Sequence, residues 1–184
     1  MLFVKKLLKK GKTDPYPPGQ VLIDSASGSV PSSITLLGDG IYELRLIGGG
    51  GRYYRVMSMS GAGWTGGSSG GFVGNIRLTK GTYAVAKGAF GSGSSVFGDA
   101  ISRGGGAGGL NVVGAAGAKP TIPYTIVSYT VHRAGNTGAF TGQYGGSGGA
   151  PVYGNYGRGA GISIGAYVYP EGTAGLVYLA YVSQ

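Results

Sequence analysis

Short hydrophobic runs separated by turn residues make up most of this chain. In the run 41–47, Tyr42, Leu44 and Leu46 alternate with residues such as Glu43, and this period of two predicts a half-buried strand. Regular strands joined by glycine-rich connections predict an all-β fold, either a sandwich or a jelly-roll-like body. Further runs of strand composition lie at 21–23, 34–37, 72–78, 82–86, 94–97, 100–102, 124–131, 162–169 and 175–182.

Glycine tracts separate the predicted strands and supply most of the 42 glycines among the 184 residues. Disordered chains combine low hydrophobicity with high charge, whereas this one is 42% hydrophobic and only 11% charged. We therefore expect ordered, packed segments of the polyglycine II type, an extended left-handed helix with about three residues per turn. Such segments hydrogen-bond to their neighbours, and only glycine permits their close approach. The tracts are 48–51, 61–71, 88–93, 104–109, 114–117, 145–149 and 154–161.

The positive charge is concentrated at the N-terminus. The net charge is +9, and five of the fifteen basic residues are lysines within residues 1–12. As a helix, this segment places Phe3, Val4, Leu7 and Leu8 on one face, which suits docking into a partner or onto a membrane surface. The alternative is a solvated terminus. The segment is too short and too charged to span a membrane.

Three regions follow from this composition. We predict a basic amphipathic anchor at 1–12, a stiff proline-rich spacer at 13–19 and a glycine-rich β domain at 20–184. The predicted contacts of the anchor with a larger assembly are made by Leu2, Phe3, Val4, Lys5, Lys6, Leu7 and Leu8.

Few residues are available for catalysis or metal binding. The chain has no cysteine, a single histidine (His132) and six carboxylates. Thiolate chemistry, disulfides and histidine-rich metal sites are therefore excluded, and little remains for general acid–base work. We predict a protein that is not an enzyme and that holds no metal or cofactor.

The order of strand, glycine tract, hairpin, glycine tract and terminal strand resembles a known family. The segments are 42–51 (YELRLIGGGG), 70–86 (GGFVGNIRLTKGTYAVA), 91–97 (GSGSSVF) and 175–182 (GLVYLAYV). Over residues 34–184 they resemble the glycine-rich domain of tail-fibre and receptor-binding proteins of phages and prophages. The chain departs from that family at Lys87 and Phe90, where its members often carry small residues. The resemblance implies adhesion rather than catalysis, in the virion tail or outside the cell.

Bulky side chains interrupt the glycine tracts and are the candidates for receptor contact. Tyrosine, tryptophan and arginine give rigid contact area and are frequent binding hot spots. On the strands, Tyr42, Tyr83, Tyr178 and Tyr181 are instead expected to fill the core. The candidate receptor-binding residues are Arg52, Tyr53, Tyr54, Arg55, Trp64, Phe90, Tyr144, Tyr153, Tyr156 and Arg158.

The expected partners are a tail or fibre assembly at the N-terminus, a glycan or protein receptor on a bacterial surface, and further copies of the chain. A self-assembling fibre or coat protein is one alternative, because exposed strand ends can pair between subunits. A nucleic-acid-binding protein rich in glycine, arginine and tyrosine is the other. Against the latter, Arg-Gly pairs occur only at Arg103 and Arg158, and residues 13–184 carry a net charge of only +4. We therefore expect neither a nucleic-acid partner nor a transmembrane span.

Overall fold

The computed structural model describes residues 14–55, 63–109, 112–141, 148–161 and 172–184, with the backbone alone for Tyr54, Arg55, Gly63, Phe140 and Thr141. Among these residues every strand pair is antiparallel, so the all-β prediction is confirmed. The strands are β1 Val21–Asp24, β2 Ser33–Leu36, β3 Gly40–Ile47, β4 Tyr54–Arg55, β5 Gly63–Trp64, β6 Gly71–Leu78, β7 Gly81–Ala86, β8 Ser95–Phe97, β9 Ala100–Ser102, β10 Thr125–Arg133, β11 Phe140–Thr141 and β12 Leu176–Ser183. The strand predicted at 162–169 lies outside the described residues.

Two sheets form a sandwich around one hydrophobic core. The five-stranded sheet has the order β1-β12-β3-β6-β10, and the four-stranded sheet has the order β2-β7-β8-β9. The predicted alternation of β3 is confirmed, since Tyr42, Leu44 and Leu46 are fully buried while Glu43 is half-buried on the outer face. The inner faces of the two sheets contribute Tyr42, Leu44, Leu46, Phe72, Ile76, Val177, Leu179 and Tyr181 from the first, and Leu36, Val85, Phe97 and Ala100 from the second.

The glycine tracts leave the sandwich at one end, which we call the glycine end. Ile47, the last residue of β3, pairs with Gly71 at the start of β6 and with Leu176 at the start of β12. The second sheet reaches the same end, because the Gly48 amide donates to Ser102 Oγ at 3.0 Å. The tracts that follow β3 and β9 and precede β6 and β12 therefore meet beyond a single edge of the core.

At the glycine end the tracts form a packed bundle, with the segment 65–70 at its centre. The amides of Thr65 and Ser68 donate to carbonyls in 136–139, and those of Gly66 and Ser69 donate to carbonyls in 157–160. The amide of Gly67 donates to the Gly106 carbonyl, and all five bonds measure 2.8 to 3.1 Å. Donors three residues apart therefore reach the same neighbour, which is the periodicity of an extended helix with about three residues per turn. The polyglycine II conformation itself stays a prediction.

The opposite end of the sandwich, which we call the terminal end, holds both Gln184 and residues 14–19. Asp14 Oδ1 accepts a hydrogen bond from the Tyr181 hydroxyl at 2.6 Å, and the Leu37 amide donates to the Tyr16 hydroxyl at 2.9 Å. The Tyr16 ring contacts those of Tyr42 and Tyr181 and is only 9% exposed. The described part of the predicted spacer, residues 14–19, is therefore packed against the sandwich.

Candidate functional site

Three residues of different strands form one row on the outer face of the five-stranded sheet. Asp24 of β1 pairs with Tyr178 of β12, and Tyr178 in turn pairs with Arg45 of β3. Residues directly opposite on paired strands share a face, so the three side chains lie side by side. Tyr178 was expected in the core, and this prediction is wrong. The period of two that buries Val177 and Leu179 directs Tyr178 to the outer face.

Arg45 is held in a defined orientation within this row. Its Nε donates to Glu43 Oε1 at 2.7 Å, with about 30% of each side chain exposed. The guanidinium carbon lies 4.3 Å from the centre of the Tyr178 ring and 5.8 Å from that of Tyr153. The hydrogen bond to Glu43 raises the pKa of Arg45 above its ordinary value. Arg45 is thus a permanently charged donor fixed by an acid on one side and by aromatic rings on another.

A tight turn brings two further tyrosines to this row. Tyr153 and Tyr156 form an isolated antiparallel bridge, and the turn needs left-handed glycines at Gly154 (φ 49°) and Gly157 (φ 66°). Val152, just before the turn, is 6% exposed and docks beside Gly71 at the start of β6. The turn is therefore anchored where the glycine bundle meets the sheet.

Between the turn and the sheet lies an open cleft of about 500 Å³. A second depression of about 450 Å³ adjoins it, and Gly154 and Tyr156 line both. In the second depression Lys87 donates from Nζ to the carbonyl of Ser25 at 2.8 Å. The first cleft is lined by Asp24, Ala26, Arg45, Tyr153, Gly154, Tyr156, Leu176 and Tyr178.

The predicted receptor-binding residues fall into separate groups. Tyr153 and Tyr156 line the cleft, and the Arg158 amide donates to Thr173 Oγ1 at 2.8 Å. Arg52 instead lies over the ring of Phe90, 5.9 Å from its centre.

A third group is carried by the small sheet of β11, β5 and β4, in which the backbone of Trp64 pairs with those of Tyr54 and Phe140. Arg55 pairs with Gly63 in the same sheet. Tyr53, which directly precedes β4, is half-buried. Tyr144 and the predicted anchor at 1–12 lie outside the described residues.

Sequence reasoning missed Asp24 and Arg45 as members of a site. The available signal was an arginine and a glutamate on the polar face of a strand, which is also typical of an ordinary solvated face. What distinguishes Arg45 is the pairing of β3 with β12, which lies more than a hundred residues further along the chain.

Comparison with known proteins adds no assignment. No family model matches the chain, and no curated protein shows significant similarity to it.

Within the described part of the chain, no helix is long and apolar enough to cross a membrane. The same residues include no group of three or more histidine or acidic side chains placed to hold a metal ion.

Proposed function

We propose that this chain is a non-enzymatic adhesion domain of a phage or prophage tail, which contacts a receptor on a bacterial surface through side chains at its glycine end. The observation that carries the proposal is the separation of the two ends. Asp14 and Gln184 lie at the terminal end, whereas the glycine bundle and the Tyr153–Tyr156 turn lie at the other. A protein attached through residues 1–12 would then present the glycine end outward.

Backbone packing in the bundle supports a role in presentation. The bundle is held by hydrogen bonds between main chains, as in the bond from Gly51 to Gly67 at 2.9 Å. These bonds are made by the main chain, and we propose that side chains at the turns and at the small sheet make the receptor contacts. Rigid aromatic residues on a fixed frame lose little conformational entropy on binding, which favours affinity.

Two sets of variants test the proposal, with co-purification of the parent assembly and binding to whole bacterial cells as readouts. Deleting residues 1–12 should abolish incorporation into the assembly and leave the body folded. Changing Tyr53, Tyr54 and Trp64 to alanine should spare incorporation and weaken adhesion by about 2 kcal/mol or more, if one of the three is a hot spot. Normal adhesion by a folded triple variant would remove this group from the receptor surface. The proposed function is refuted if neither the wild type nor any variant adheres to bacterial cells.

One observation favours the alternative of a self-assembling fibre. β10 is a nine-residue strand at the edge of the five-stranded sheet, and Val127 and Tyr129 on it are 48% and 60% exposed. Exposed edge strands can pair with other chains. Electron micrographs of the purified protein would show filaments if this alternative holds.

A further inference from the structure

The cleft beside Arg45 has the composition of a small-molecule binding site. Its volume of about 500 Å³ lies within the range of roughly 300–1,000 Å³ that is usual for ligand pockets. Such pockets combine ring and aliphatic surface with a few oriented polar groups. Here Tyr153, Tyr156 and Leu176 supply the ring and aliphatic surface, and Asp24 and Arg45 supply the polar groups.

The polar groups are oriented before any ligand arrives. The Nε–H of Arg45 is engaged by Glu43, so the terminal amino groups of the guanidinium are the donors that a ligand can use. Asp24 Oδ1 accepts from the Ala26 amide at 2.9 Å, which fixes the carboxylate and leaves its other oxygen as an acceptor. A fixed donor beside a fixed acceptor matches neighbouring hydroxyl groups, each of which both donates and accepts.

The aromatic groups suit a ligand with a flat face of C–H groups. The face of an aromatic ring carries partial negative charge and attracts the weakly positive hydrogens of such a surface. A pyranose ring presents C–H groups on its face and hydroxyls around its rim. Tyr153 and Tyr156 on the turn can serve the face while Arg45 and Asp24 serve the rim.

The charges of the site favour an uncharged ligand. Among the described residues, Asp24 lines the cleft beside one cation, Arg45, whose partner Glu43 lies next to the cleft, and Lys87 is a second cation in the adjoining depression. Asp24 would repel a carboxylate on the ligand, and Arg45, the one cation among the described residues that line the cleft, is already paired with Glu43. Charged ligands therefore gain little from this site.

From this geometry we infer that the cleft binds a neutral hexose unit of a saccharide, with its ring against Tyr153 and Tyr156 and adjacent hydroxyls on Arg45 and Asp24. The inference rests on the proposed adhesive function and names the class of receptor that this part of the surface takes.

The test uses the full chain and a panel of immobilised neutral hexose oligosaccharides, with matched uronic-acid oligosaccharides beside them. Tyr153→Ala removes one ring from the turn, and Arg45→Lys keeps the charge but loses the planar group. Tyr129→Ala is the matched control, since Tyr129 is an exposed tyrosine on β10 that does not line the cleft. Each variant is first checked for an unchanged denaturation midpoint. Two cleft variants are made so that the test can still be carried out if one of them does not fold.

We expect a neutral oligosaccharide to bind the wild type and Tyr129→Ala, and to bind each cleft variant about tenfold more weakly or worse. The inference is overturned if no neutral oligosaccharide binds, if only the acidic ones bind, or if both cleft variants bind normally. Whole-cell adhesion separates the two claims. Cell adhesion by a wild type that binds no neutral oligosaccharide overturns the saccharide site alone, whereas saccharide binding without cell adhesion supports the site and refutes the adhesive function.

Discussion

Replacing Gly67 with alanine should unfold or severely destabilise the protein. Gly67 lies in the centre of the glycine bundle, where a Cβ would stand 2.7 Å from the carbonyl carbon of Ala115 and closer still to its oxygen. Carbon atoms in contact normally lie about 3.5–4.0 Å apart, so the neighbouring segment must recede by about 1 Å. That displacement breaks the bonds that join the two segments, from Gly114 to Thr65 at 3.0 Å and from Gly117 to Ser68 at 2.8 Å.

The cost follows from these two bonds. A buried backbone group left without its partner costs about 1–3 kcal/mol, so the substitution should lower the free energy of unfolding by about 2–6 kcal/mol. That is a large part of the roughly 5–15 kcal/mol typical of a domain. Urea denaturation measures the change, and Gly28→Ala is the control because nothing lies within 4 Å of its Cβ. The control should stay within about 0.5 kcal/mol of the wild type. If Gly67→Ala behaves like the control, close backbone packing does not hold the bundle together.

Three further predictions concern other parts of the molecule. Amides in 65–69 and 157–160 should exchange with solvent far more slowly than in a free peptide, because they are bonded between segments; free-peptide rates would contradict the ordered bundle. Tyr16→Ala should lower the free energy of unfolding by about 3–5 kcal/mol, because it removes a buried aromatic ring. An unchanged urea midpoint would show that residues 14–19 do not contribute to the stability of the sandwich. Burial, with a further contribution from the hydrogen bond to Asp14, raises the pKa of Tyr181 from 10.0 to about 12. The unfolded chain therefore loses the proton first, so the contribution of Tyr181 to stability should be fully present below pH 10 and be lost between there and about pH 12. Tyr181→Phe should flatten that decline in a titration that follows the unfolding midpoint against pH, and an equal decline in the variant would assign the effect to other tyrosines.

The strands of the sandwich were predictable because each carries its own local pattern. The alternation in β3 and the turn residues Gly98 and Asp99 between β8 and β9 define their elements without reference to the rest of the chain. The small strands β4, β5 and β11 were missed because two residues are too few to show any period.

The cleft could not be predicted, because it depends on contacts between distant parts of the chain. Asp24 meets Tyr178 only through the register of the first strand with the last. The same limit applies to Tyr16, since three nearby prolines indicate an extended spacer but do not show that the ring enters the core. Tyr153 was identified from its type and its glycine surroundings, yet its neighbours became apparent only in the fold.

The placement of residue 14 and the glycine bundle at opposite ends has a mechanical consequence. A pull between them runs nearly along the strands of the five-stranded sheet, and the hydrogen bonds between antiparallel strands lie across that direction. Such a force enters the sheet through β1 and loads the residue pairs between β1 and β12 together, rather than opening them one after another. The core of the sandwich is thus oriented to resist tension between residue 14 and the glycine bundle.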